Sequence, residues 1–352
     1  MLDNLSYIAS IDKSNMRDIL QKFSQQCKRA IEMGRGINTP SCIKGKKIDK
    51  IVVCGLGGSA IGGDILKTLF SNKKILIKVS RNYHIPSWVN KQTLIFVISY
   101  SGNTEETISS FKEALIKGCP VISVTSGGEI QKLSEKNDVP VIKVPPGMPP
   151  RCAVGFLSIP VIVLLEKILN INLFNYHELI KTISNLSQIY LPGKKTADNL
   201  TKLTACKLKG KIPLIYGVNE LTDVVAHRLK TQFNENSKIF AAWDIFPEMN
   251  HNEIVPFSGE GKVDLNIFHP LFIRDRKESK RIACRIQMTQ SLLRKKSIDY
   301  SEIWTMGEDF ISKVFSSIYS GDWISFYLAV LQGVDPTPVN FINLLKNELK
   351  KV

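Results

Sequence analysis

Hydrophobic positions along this chain fall into two kinds of segment. Short runs rich in Val and Ile, at 51–54, 75–79, 93–98, 121–124 and 141–144, are unbroken rather than alternating. Such runs predict strands buried on both faces. Between them lie longer stretches with helical spacing; in 105–118, Ile108, Phe111 and Leu115 fall on one face. The pattern returns further on, with strand candidates at 213–216, 238–242, 267–273 and 300–304 and a helical stretch at 220–233. Strand–helix alternation predicts an α/β fold with parallel sheets covered by helices on both faces, and its repetition predicts two domains of similar plan. Four prolines in "KVPPGMPPRCAVGF" (143–156) interrupt the first series, and the apolar segment 157–169 after them is read as a helix. We place a first domain at 1–170, with a helical lead-in over 1–45, and a second at 171–352. The join is expected between about 165 and 195, where "YLPGKK" (190–195) reads as a linker.

Composition narrows the class. With 352 residues, 43% hydrophobic and 22% charged, the chain has the make-up of an ordinary globular protein. Its longest apolar run, "IPVIVLL" (159–165), stops at Glu166 and Lys167. That is short of the roughly 18–20 residues of a membrane helix, so no membrane span is expected. The stretch "MLDNLSYIASIDKS" lacks the basic and apolar regions of a secretory signal. The seven cysteines are scattered and form no CxxC, which fits reduced thiols in the cytoplasm.

The net charge of +15 raises the question of an anionic partner. Much of the excess is local: residues 272–296 carry nine Lys or Arg against Asp275 and Glu278. Ile282, Ile286 and Leu293 share one helical face there, so the segment reads as an amphipathic helix with a solvated basic side. No zinc-finger spacing or arginine-rich tail accompanies it, and no nucleic-acid partner is expected. A positive field also suits a small anion in a cleft.

Two loops offer such a cleft. "GLGGSAIGGD" (55–64) follows the first strand, and "SYSGNTEET" (99–107) follows the third. Both sit where ligands bind in parallel sheets, beyond the carboxyl ends of strands, and each opens a helix. Helix N-termini present unpaired N–H groups and favour anions. Gly55, Gly57 and Gly58 allow close backbone approach, while Ser59, Ser99, Ser101 and Thr104 add neutral donors. A single hydroxyl suffices for a helix cap, and this loop has more than a cap needs. Gly55-x-Gly57-x-x-Ala60 also meets a loose dinucleotide fingerprint. No Asp or Glu lies between Asp64 and Glu105 to hold an NAD ribose, although Arg81 would suit the extra phosphate of NADP.

In this order and on these elements, the two loops resemble those of sugar isomerase (SIS) domains. Further stretches resemble, more narrowly, the bifunctional phosphoglucose/phosphomannose isomerase family: "PPRCAVGF" (149–156), "NENSK" (234–238), "FPEMNHNEIVPF" (246–257) and "GVDPTPVNFINLLK" (333–346). The resemblance spans about residues 50–346. It implies two SIS-type domains and an aldose–ketose isomerase of central carbohydrate metabolism, serving glycolysis and gluconeogenesis. The enzyme would interconvert fructose 6-phosphate with glucose 6-phosphate, and with mannose 6-phosphate, through a cis-enediolate.

The resemblance assigns Glu235 as the base that moves the proton between C1 and C2. It assigns His251 to ring opening, Arg151 to the enediolate charge, and Lys346 to the sugar oxygens. Gly58, Ser59, Ser99, Ser101 and Thr104 would hold the phosphate. No cofactor or metal is implied; His251 lies near Glu248 and Glu253, but their spacing matches no zinc motif. The remaining histidines, His84, His177, His227 and His269, are read as structural. The site is expected in the cleft between the domains of a homodimer, with His251 reaching the partner's site. Cys152, directly after Arg151, is where a smaller residue would be easy to accommodate. The competing readings are a non-catalytic SIS module that senses a sugar phosphate, an amino-sugar phosphate isomerase, and an NADP-dependent reductase.

Overall fold

The unbroken apolar runs of the first half become five strands: β1 (Lys50–Cys54), β2 (Leu76–Ser80), β3 (Leu94–Ile98), β4 (Val121–Thr125) and β5 (Val141–Lys143). They form one sheet in the order β2-β1-β3-β4-β5, every pair parallel. The second half contributes β6 (Ile212–Val218), β7 (Ala242–Phe246), β8 (Phe268–Arg274) and β9 (Ser301–Trp304), also all parallel, in the order β7-β6-β8-β9. This computed structural model describes residues 1–349 and 351. By internal contacts the chain divides into two units, one of residues 22–183 with 307–314, the other of residues 1–21, 184–306 and 315–352.

In the first unit, side chains of successive strand residues point to opposite faces, so burial on both faces explains the continuous apolar runs. Val52, Cys54, Ile95 and Val97 pack with Phe111 and Ala114 of the helix Glu105–Ile116. The opposite face is covered by the helix Gly58–Leu69, which packs on β1 and β2 and is itself backed by the helix Val154–Leu169. Lys167 closes the end of the helix Phe23–Gly36, donating from Nζ to the carbonyls of Gly34 and Ile37 at 3.2 and 2.9 Å. In the second unit, Leu214, Tyr216, Phe246 and Phe272 pack with Ile286 and Leu293 of the helix Lys280–Lys295. The helix Asp223–Gln232 covers the other side of β6 and β7.

Three expectations need correction. The strand expected at 238–242 begins at Ala242, because the preceding helix continues as a π-turn over Phe233–Ser237 and closes with Lys238 in the left-handed conformation. The basic segment is not helical from 272: Phe272–Arg274 belong to β8, and the helix starts after Ser279, whose Oγ accepts from the Ile282 N–H. Within that segment Arg274 is not solvated but buried, with Nη1 on Glu302 at 2.8 Å. Finally, the chain does contain a helix long and apolar enough to cross a membrane by length and composition, Phe310–Gln332. Ser316, Ser317, Ser320, Asp322 and Ser325 break its apolar run, which hid it from a search for unbroken stretches. Nearly all of it (94% of its most apolar window) is buried inside the protein.

One buried group makes stability pH-dependent. His269 on β8 is buried beside β9, with Nε2 2.9 Å from Ser301 Oγ, and burial pushes its pKa down from 6.5 to about 4. The folded state therefore favours the neutral ring, and the unfolded chain binds the proton more readily. This contribution is complete above pH 6.5 and is lost as pH falls towards about 4. The loss is expected to reach at most about 3 kcal/mol. Urea unfolding at pH 7 and pH 4.5 should show it, and His269→Asn should flatten that part of the pH dependence.

Candidate active site

The order of the first sheet reverses between β1 and β3, and both polar loops leave from the carboxyl ends of those two strands. That crevice is the switch point at which open parallel sheets bind ligands. The loops are joined there: the backbone N–H of Tyr100 donates to Ser59 Oγ at 3.2 Å. Ser99, fully buried, donates from Oγ to Thr104 Oγ1 at 3.1 Å. Ser101 is exposed and accepts from the Asn103 N–H at 3.2 Å. Thr104 occupies the N-cap of the helix Glu105–Ile116, and its side chain makes no capping bond. Gly57, at φ +52°, caps the helix Gly58–Leu69. Two helix N-termini and four hydroxyls thus gather around one crevice, an arrangement suited to an anion.

Arg151 is part of the same cluster. It is buried within the short helical turn Pro150–Cys152, and a Cβ on Gly58 would lie 2.9 Å from its Cα and N. Only glycine at 58 permits this backbone contact. The glycine and hydroxyl loops and the Arg151 backbone therefore lie together in the first unit.

Two residues that sequence reasoning left unassigned hold this segment. The Tyr100 hydroxyl donates to the Pro145 carbonyl and accepts from the Met148 N–H, both at 2.9 Å. Burial raises its pKa, which keeps the phenol in its donor form. Gln26 donates to the Cys152 carbonyl at 3.0 Å and accepts from the Gly155 N–H at 2.8 Å. Tyr100 was visible as an extra hydroxyl in its loop, whereas nothing local marks Gln26. Cys152 is buried and bonded through its backbone to this strap. Arg81, the residue an NADP phosphate would need, forms an ion pair with Asp64.

The second unit carries the remaining candidates. Glu235 lies in the π-turn, partly exposed, and lines a cleft of about 770 Å³ together with Lys238, Asp335 and Pro338. Asn340 and Phe341, at the start of the helix Asn340–Leu349, line the same cleft. Wide turns of this kind recur at functional sites. Lys346 sits further along that helix and is exposed, and it is not among the residues lining the cleft. His251 ends the turn Glu248–His251 and is also exposed. Among the described residues, no cluster of three His, Cys, Asp or Glu side chains has a metal-binding arrangement.

The second sheet also has an end where a phosphate would be sought, but its chemistry differs. The loop after β8 carries Asp275, buried, which accepts from the Lys277 N–H at 2.6 Å and from the Thr305 hydroxyl. Arg274 there is engaged by Glu278 and Glu302. Asp275 and Glu278 stand in that loop where the first unit offers hydroxyls, and both are engaged within the fold.

Two parallel α/β units, the first with glycine and hydroxyl loops at its switch point, are the plan of an SIS-type sugar isomerase fold. The SIS domain family matches residues 44–145, and the bacterial phospho-glucose isomerase C-terminal SIS domain matches residues 197–349. The chain belongs to the bifunctional phosphoglucose/phosphomannose isomerase family. A protein of that name from Caldicellulosiruptor bescii is 38% identical over 340 residues, covering 96% of this chain and 99% of the relative. Another, from Thermoplasma acidophilum, is 36% identical over 300 residues, covering 85% and 89%. A solved structure of a hypothetical protein from Thermus thermophilus shares the fold, with a TM-score of 0.73 at 14% identity over 99% of this chain and 89% of that one.

Proposed function

We propose that this isomerase interconverts fructose 6-phosphate with both glucose 6-phosphate and mannose 6-phosphate by proton transfer, without a cofactor or metal. The observation that carries the reading is the union of Ser59, Ser99, Ser101 and Thr104 with Arg151 at one switch point. The reaction moves a proton between C1 and C2 and changes no net oxidation state. It needs an anchor for the phosphate, a base, a proton donor for ring opening, and a cation near the enediolate oxygen. In this reading the hydroxyl loops with the Gly58 backbone bind the phosphate, Arg151 stabilises the developing charge, and Glu235 is the base. His251 passes the ring-opening proton, and Lys346 contacts the sugar oxygens.

Exposed His251 fits a role at a neighbouring copy's site, and so a homodimer; a monomeric mass in solution would contradict that part. Family membership supports a cytoplasmic enzyme at the exchange of hexose phosphates in glycolysis and gluconeogenesis. A module that only senses sugar phosphates would have use for the loops but none for Glu235.

The loops are testable directly. The double replacement Ser101→Ala with Thr104→Ala is expected to raise KM for fructose 6-phosphate by about 100-fold or more, since two hydrogen bonds to a charged group together contribute about 3 kcal/mol at the low end. Steady-state kinetics should show kcat changed much less than KM. An unchanged KM would remove the phosphate assignment.

A further inference from the structure

The helix Phe310–Gln332 carries two polar residues one turn apart, Asp322 and Ser325, buried where an apolar side chain would be the simpler choice. Both are spent on the segment that presents Glu235. Asp322 accepts from Arg228 Nη2 through both carboxylate oxygens, at 2.9 Å each, and from Gln232 Nε2 at 2.7 Å. Ser325 Oγ accepts from Asn236 Nδ2 at 2.9 Å and donates to the Asp322 carbonyl at 2.8 Å. The Ser325 carbonyl accepts from Ser237 Oγ at 2.7 Å. On the other side of the turn, Lys238 donates from Nζ to the Glu235 carbonyl and, at 3.2 Å, to that of Pro336.

Arg228, Gln232 and Asn236 succeed one another at intervals of four, so they form one polar seam along the helix and its π-turn. Burying such a seam is costly, and each of its three members donates to the helix Phe310–Gln332, which ties the seam to one backbone arrangement. An ordinary helix end at the surface has its carbonyls satisfied by water and needs no seam. This one is pinned through the two residues that follow Glu235, while Glu235 itself lines the cleft.

We propose that Ser325 and Asn236 are positioning residues for the proton transfer: their buried hydrogen bond holds the π-turn so that the Glu235 carboxylate is set at the reacting carbon. The inference rests on Glu235 being the base. A base displaced by a fraction of an ångström still binds substrate but abstracts the proton more slowly.

The test uses the full-length protein with fructose 6-phosphate and glucose 6-phosphate deuterated at C2. The variants are Asn236→Ala, Ser325→Ala, the two combined, and Glu235→Gln. Each single change is expected to lower kcat by about 10–100-fold. KM should stay within about twofold, because the phosphate contacts lie elsewhere. The deuterium isotope effect on kcat should rise as proton abstraction becomes more fully rate-limiting. The combined variant removes both partners of that hydrogen bond at once, so neither is left facing the other's absence, and its loss should match one single change rather than the product of both.

Wild-type kcat and isotope effect in the three positioning variants, with Glu235→Gln inactive, would overturn the inference alone. Loss of activity that merely tracks loss of folded protein, with an unchanged isotope effect, would overturn it too. An active Glu235→Gln would remove the base assignment and the inference with it.

Discussion

Glu235→Gln is expected to lower turnover of fructose 6-phosphate by about 10²–10⁴-fold, the usual share of a general base. The substitution keeps the size and reach of the side chain while removing its charge and its ability to accept the proton. Glu235 is partly exposed, so the fold has little to lose from the change, and the thermal midpoint should hold. Substrate affinity should also hold, because the residues assigned to the phosphate lie on the loops after β1 and β3. The sharpest readout is isotopic. In heavy water the wild type should place deuterium at C2 of the aldose, since the shuttling carboxylate exchanges with solvent. Glu235→Gln should lose that exchange together with turnover. Retained turnover would move the base elsewhere in the cleft.

Gly58→Ala is the second large effect. A methyl group at 58 would meet the Cα and N of Arg151 at 2.9 Å and the Pro150 carbonyl carbon at 3.0 Å. These are backbone atoms of a turn strapped by Gln26 and followed by a helix, so they cannot yield as a flexible side chain would. Overpacking of this kind costs about 1–3 kcal/mol. It would also part Arg151 from the glycine loop, and kcat/KM is expected to fall by about tenfold or more. Gly36→Ala is the control: nothing lies within 4 Å of a Cβ there, and stability should be kept or slightly improved. Thermal melts and kinetics on the two variants separate local crowding from any general effect of the exchange.

The two α/β units were legible because a parallel sheet buried on both faces leaves an unmistakable trace, runs such as "TLIFVI" that do not alternate. The polar loops were legible for a related reason, since a loop with more hydroxyls than a cap can use asks for a ligand. The edge strand β7 was misplaced because it is half exposed and follows a π-turn, whose extra residue no local propensity announces. The helix Phe310–Gln332 went unnoticed because its serines and Asp322 interrupt the apolar run, and the partners of Asp322 and Ser325 lie about 90 residues away in sequence. Distance in sequence also hid Gln26, which meets Cys152 and Gly155 only in the fold. Of the catalytic candidates, Arg151 meets the glycine loop through a backbone contact that the glycine at 58 makes possible. His251 and Lys346 lie exposed, and their assignments rest on the resemblance of the segments that carry them.

In the proposed reaction one chain turns fructose 6-phosphate into two aldoses without a metal. Purified protein incubated with fructose 6-phosphate and EDTA, followed by chromatographic separation of the aldose phosphates, tests it most directly. Glucose 6-phosphate and mannose 6-phosphate are both expected to form, and neither with Glu235→Gln. Binding of fructose 6-phosphate with no aldose formed, or turnover abolished by EDTA and restored by a metal ion, would contradict it.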